Sequence, residues 1–218
     1  MKYLFQIVGV FTVAVAVVVG TNLLADDTKP QLVRNGDFEM ADAKDPAKPA
    51  CWCKPDGLGV QWTNDPSSSE HGKCMRMDTS VSEKAMVEQW KKTGLTNIWD
   101  IPNPAGNAIS ETYGLSYYSD AIPVRSGQAY RVTFDFKGRG GGKVWVRCYG
   151  FFQGEMRRRY EKVVPCDGKA NEWITQSAIV HPTRQTPEVT EMKVMLYAYH
   201  PAGIYWFDNI LIESIAEK

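Results

Sequence analysis

The chain has 218 residues, 44% of them hydrophobic, with 25 lysines and arginines set against 25 aspartates and glutamates. That length fits one domain with its own core plus a short extra segment. A net charge of zero supplies no field for nucleic acid or an anionic membrane, and argues against both as partners.

Taken in chain order, Lys2 precedes an apolar run from Tyr3 to Val19, broken only by Gln6, Gly9 and Thr12. Leu23-Leu24-Ala25 then offers a small residue before Asp26. The pattern predicts a signal peptide over residues 1–25 and an exported domain over 26–218. An uncleaved anchor is the alternative, because the run is long for a signal core. No second apolar span follows, so no membrane span is expected after cleavage. The expected location is the secretome, periplasm or cell envelope of a bacterium.

Export implies an oxidising compartment in which cysteines can pair. The five present (Cys51, Cys53, Cys74, Cys148 and Cys166) are an odd number, so one stays free or pairs between chains. Zinc at Cys51-Trp52-Cys53 would need further ligands at short spacing, and only His71 qualifies.

From Pro30 onward, short apolar runs are separated by Gly, Pro, Asn, Asp and Ser clusters, the pattern of an all-β domain. Glu83 to Lys92 is expected as a short helix, and Asn97 to Glu111, with Pro102 and Pro104, as a long loop. In Tyr130 to Lys137, Tyr130, Val132, Phe134 and Phe136 alternate with Arg131, Thr133, Asp135 and Lys137, which makes a half-buried strand. Gly138 to Gly142 is a turn rather than a phosphate loop, since Lys137 and Val144 stand where the Walker pattern needs a Gly and a Ser or Thr. In Lys143 to Phe152, Val144, Val146, Cys148, Gly150 and Phe152 fall on one face, whose small aliphatic residues suit a core, while Trp145, Arg147, Tyr149 and Phe151 share the opposite face. Glu155 to Arg159 reads as a polar hairpin tip before Tyr160 to Val164. A turn centred near Met156 and Arg157 would set Cys148 almost opposite Cys166, close enough for a cross-strand disulfide. Further strands are expected at Trp173 to Val180, Met192 to His200 and Ile204 to Glu213.

Leu32 to Met40 reads LVRNGDFEM and Gly203 to Ser214 reads GIYWFDNILIES. Between them, Ser119 to Gly138 reads SDAIPVRSGQAYRVTFDFKG. Their order and spacing resemble the galactose-binding-like jelly rolls, particularly the carbohydrate-binding modules attached to bacterial cellulases and xylanases. The resemblance spans about residues 31–214, with departures at Ala41 to Gln61 and Glu88 to Tyr113. It implies a two-sheet antiparallel β-sandwich, the jelly roll, with a sugar cleft on a concave sheet face. It also implies a structural calcium between the first and last strands, held by Glu39 and Asp208 with Asp37 as a further candidate. Calcium takes six to eight oxygens, several from backbone carbonyls. The competing reading makes Asn35-Gly36-Asp37 a simple turn.

A sugar ring presents C–H groups to aromatic faces and hydroxyls to polar side chains, with charged donors the stronger partners. Trp145, Arg147, Tyr149 and Phe151 provide both at about 6.6–6.8 Å per alternate residue. Tyr197, Tyr199, Asp135 and Arg131 on neighbouring strands are expected to join them. The opposing possibility is that the long insertions, carrying Trp90, Trp99, Tyr113, Tyr117 and Tyr118, cover this face. Trp52, Trp62, Trp173 and Trp206 are expected as core or loop anchors. No carboxylate pair is placed for glycoside hydrolysis. The Gly-x-Ser-x-Gly signature is absent, and His71, His181 and His200 lack metal-ligand spacing. The expected function is therefore exported, non-catalytic binding of a polysaccharide or oligosaccharide. An envelope or adhesion scaffold that binds protein is the first alternative, and a glycosidic-bond hydrolase the second.

Overall fold

A computed structural model describes residues 31–95 and 101–216. The expected signal peptide over residues 1–25, together with Trp99, lies outside the described residues. The strands are β1 (Val60–Asn64), β2 (Lys73–Asp78), β3 (Leu115–Tyr118), β4 (Ile122–Pro123), β5 (Ala129–Lys137), β6 (Lys143–Phe152), β7 (Glu155–Pro165), β8 (Ile174–Val180), β9 (Val189–Ala198) and β10 (Ile204–Ile215). They form two antiparallel sheets, one in the order β1-β2-β10-β5-β8 and one in the order β3-β9-β6-β7, with β4 also pairing β9. The protein is a two-sheet antiparallel β-sandwich. No helix among the described residues is long and apolar enough to cross a membrane.

Period-two alternation decides what fills the space between the sheets. Val132, Phe134 and Phe136 of β5, Phe207 and Ile212 of β10, Val144, Val146 and Cys148 of β6, and Val194 and Leu196 of β9 are all fully buried in one core. The one α-helix among the described residues, α1 (Glu83–Thr93), has Ser82 as N-cap, whose hydroxyl accepts from the Ala85 amide, and Gly94 in the left-handed conformation at its end. Glu83 in the first turn and Lys91 and Lys92 in the last complement the helix dipole.

The chain's beginning is stitched to its end. Leu32 N–H donates to Ile212 O at 2.9 Å, and Ile210 N–H donates to Gly36 O at 2.8 Å. A Cβ on Gly36 would stand 1.9 Å from Ile210 O, a backbone atom that has little room to move. The glycine of the NGDF segment is thus required by this close approach. Gly36→Ala is expected to cost about 1–3 kcal/mol, read as a lower urea midpoint with an unchanged m-value. Beside it, Asn35 ties down the first insertion: its amide donates to Met40 O and Ala50 O, and its Oδ1 accepts from Met40 N–H.

The β6–β7 hairpin differs from the expected one. Phe152 pairs with Glu155, so the turn is Gln153-Gly154, with positive φ at both residues. That is the two-residue geometry whose twist matches paired strands. Cys148 consequently faces Tyr160, and Cys166 hydrogen-bonds to Gly142 beyond the far end of the hairpin. The Cys148–Cys166 bridge is therefore ruled out by register, and all five cysteines are free thiols. Burial pushes Cys74 and Cys148 up to about 12 and Cys166 further up, so these thiols are inert core groups.

Candidate functional site

The outward face of the β3-β9-β6-β7 sheet carries the site. Along β6, Trp145, Arg147 and Tyr149 are half-buried between the buried Val144, Val146 and Cys148, and Phe151 is 62% exposed at the hairpin end. Register fixes their neighbours, because directly paired residues share a face. One row is Tyr118, Met195, Trp145 and Val163; the next is Lys193, Arg147 and Glu161. Tyr197 pairs with Lys143 on one side and Ser116 on the other.

The rings form a run. Trp145 meets Tyr197 edge-on at 6.4 Å, and Tyr197 stacks with Tyr199 at 6.2 Å. The Arg147 guanidinium lies 5.1 Å from the Trp145 ring centre and 5.9 Å from that of Tyr118. Its Nη1 donates to the Tyr118 hydroxyl at 2.8 Å, whereas Glu161 stands 3.7 Å from its Nε, outside hydrogen-bonding range. Burial raises the Tyr118 phenol, and the Arg147 charge partly opposes that shift. Trp145 Nε1 and Arg147 Nε are buried with no hydrogen-bond partner among the described residues.

Beside this run lies a groove of about 650 Å3, lined by Arg147, Met195 and Tyr197 of the sheet, by Tyr118, and by Trp90 and Tyr113 from the insertions. Cys53 and Lys54 form part of its rim, held against β3 because Cys53 N–H donates to Tyr118 O. The insertions build a wall along the face rather than sealing it. Tyr117 turns inward and stacks on buried Trp52 at 5.7 Å. Trp145 touches the residues of the floor without lining the groove itself.

Of the residues expected to bind sugar, Trp145, Arg147, Tyr149, Phe151, Tyr197 and Tyr199 share this face. Asp135 does not join them, and neither does Arg131: both belong to β5, in the other sheet. There Asp135 accepts from Thr175 Oγ1 and from Asn209 Nδ2. Alternation shows which side of a strand is polar, but does not say to which sheet the strand belongs. Trp90, Tyr113, Tyr118 and Met195 were not expected as site residues. The first three belonged to segments that read as cover, and Met195 carried no signal beyond ordinary strand alternation.

Asp208 of β10, expected to hold calcium, lies on the other sheet, and Glu39 and Asp37 are near enough for their charges to act on it. Asp208 is 2% exposed, and its carboxyl is pushed up to about 8, chiefly by burial and then by the charges of Asp135, Glu39 and Asp37. Its Oδ2 lies 2.9 Å from Nδ1 of His71, whose ring stacks on Trp173 at 3.9 Å. Glu39 Oε1 accepts from Lys73 N–H. An oxygen-seeking dication needs six to eight oxygens around one point. No three acidic, His or Cys side chains among the described residues already converge on one point, so such an ion would also draw on backbone carbonyls.

No protein-family model matches the chain, and no curated protein matches it. Among solved structures it is similar to the CBM22-1 xylan-binding domain of Paenibacillus barcinonensis Xyn10C, at 10% identity and TM-score 0.46, over 87% of this chain and 97% of that one. It is also similar to TmCBM61 in complex with beta-1,4-galactotriose, at 12% identity and TM-score 0.45, over 85% and 99%. With the enzymatically active domain of tailspike protein 4 of bacteriophage CBA120 it shares 11% identity and a TM-score of 0.45, over 72% of this chain but 18% of that longer one. The chain is thus similar in structure chiefly to carbohydrate-binding modules.

Proposed function

We propose that the protein is an exported, non-catalytic carbohydrate-binding domain whose ligand lies along the outward face of the β3-β9-β6-β7 sheet. The observation that carries this reading is the groove on that face, in which Tyr118, Tyr197, Trp90 and the Arg147 guanidinium surround one open space. Rings supply flat apolar platforms for sugar C–H groups, and the guanidinium is a charged donor to ring hydroxyls. Two carboxylates on the groove's lining are committed to structural bonds, which favours binding over hydrolysis. Asp56 Oδ1 accepts the Leu58, Gly59 and Val60 amides, and Asp45 pairs with Lys54. Export is supported by Lys2 and the apolar run that follows it. A calcium ion at Asp208, Glu39 and Asp37, with Asp135 beside them, would steady the join between the N-terminal segment and β10.

Glycan-array and affinity-gel measurements test the binding reading. Tyr197→Ala is expected to cost about 2 kcal/mol, as for a central aromatic anchor, which is about thirty-fold in Kd. The same variant should keep its far-UV spectrum and a cooperative melt. Wild-type protein that retains no glycan overturns the proposal. Release of reducing sugar from a retained glycan would replace it with hydrolysis.

A further inference from the structure

The face that carries the groove is more basic than a neutral sugar requires, in a chain whose charges balance overall. Register places Lys143, Arg147, Lys193 and Arg158 on it, against Glu161 and Glu191. Lys193 sits directly opposite Arg147 on the adjacent strand, a like-charge pairing that costs stability in a sheet. The Glu161 carboxylate on Arg147's other side relieves it only in part, because it is shared with Arg158. Glu161 is 3.1 Å from Arg158 and stays 3.7 Å from Arg147. Lys193 makes no ion pair among the described residues, and Lys143 lies 5.9 Å from the centre of the Tyr197 ring. These cations share the face with the rings, and Arg147 also lines the groove.

We propose, resting on the carbohydrate-binding reading above, that the ligand is an acidic glycan built from uronic acid units, with Arg147 and Lys193 receiving its carboxylates. A guanidinium matches the planar carboxylate and an ammonium adds a point charge. Ligand binding then neutralises the opposed pair, so the stability lost in the free sheet is recovered in the complex.

Polygalacturonate and its fully methyl-esterified form share one backbone and differ in charge. Binding of the full chain to both, to neutral xylan and to dextran sulfate is measured by calorimetry. The acid form should bind tighter than the ester by about ten- to a hundred-fold, the range for charge-assisted hydrogen bonds. Added salt should erode that margin, and Arg147→Gln and Lys193→Gln should each shrink it. Equal affinity for acid and ester overturns the acidic-glycan assignment and leaves sugar binding standing. Dextran sulfate binding as tightly as polygalacturonate overturns it too, since charge alone would then suffice. Failure to retain any of the four removes the carbohydrate reading and this one together.

Discussion

Lys137→Met is expected to destabilise the fold by about 3–5 kcal/mol, the usual cost of removing one partner from a buried ion pair. Lys137 is 3% exposed at the end of β5, and Asp65 is 4% exposed in the loop after β1. The ammonium bonds to the Asp65 carboxylate and to Ser67 Oγ. It also lies 5.1 Å from the Trp206 ring centre and 5.3 Å from that of Trp173. Asp65 further accepts from Ser67 N–H and Trp173 Nε1. Burial alone would raise the Asp65 carboxyl, but Lys137, the Ser67 amide and hydroxyl and Trp173 together hold it down at about 2.

The sign of the pH effect follows from that depression. An acid whose folded pKa lies below its unfolded value stabilises the protein above the unfolded value, and the contribution is lost as pH falls through the folded one. Wild-type stability should therefore lose this contribution between about pH 4 and pH 2. In Lys137→Met the carboxyl keeps its burial and loses its cation, so its pKa is expected to move upward and the dependence to reverse, with stability falling as pH rises from 4. Urea midpoints at pH 4 and pH 7 check this. The double change Asp65→Asn, Lys137→Met should recover most of the loss, because both charges leave together. An equal loss in the double and single variants would show that the lysine stem, and not the ion pair, is what matters.

Lys137 also marks where the sequence stops being legible. Its position on the polar side of β5 follows from alternation, and it is on that side. Its burial depends on the Asp65 loop and Trp173 folding over the sheet from distant parts of the chain. Alternation from Lys143 to Cys148 predicts the core and the ring-bearing face correctly, because a strand buried on one face has no other way to place Val144, Val146 and Cys148, whereas Phe152, expected on the same face as these three, is 38% exposed beside the hairpin turn. The helix at Glu83 is legible from its local composition, and Ser82 and Gly94 bound it as cap residues should. What local pattern does not encode is the partition of strands between sheets, which carries Asp135 away from Trp145. Nor does it encode which insertion residues will wall a groove. The hairpin register turned on choosing Gln153-Gly154 over Met156 and Arg157 as the turn, and every cross-strand neighbour of Cys148 follows from that choice.

Asp208 provides the second large expected effect. Its carboxyl is raised to about 8 by burial and by Asp135, Glu39 and Asp37, so the folded protein holds a proton there that the unfolded chain releases near pH 4. A raised acid stabilises below its unfolded pKa, and that contribution disappears as pH climbs through the folded value. In chelator, stability should therefore fall between about pH 4 and 8, by at most about 1.4 kcal/mol per pH unit. His71 Nδ1 lies 2.9 Å from the same carboxyl. Calcium reverses the preference, because a bound dication favours the ionised carboxylate. With calcium at pH 8, the melting temperature should rise with ion concentration, by the linkage that makes any native-state ligand stabilising. Asp208→Asn separates the two situations. In chelator at pH 8 it should match or exceed wild type, since the charge it removes is unfavourably buried. With calcium it should fall below wild type and gain nothing from added ion. A wild-type melting temperature that ignores both calcium and chelator at pH 8 would dismiss the ion.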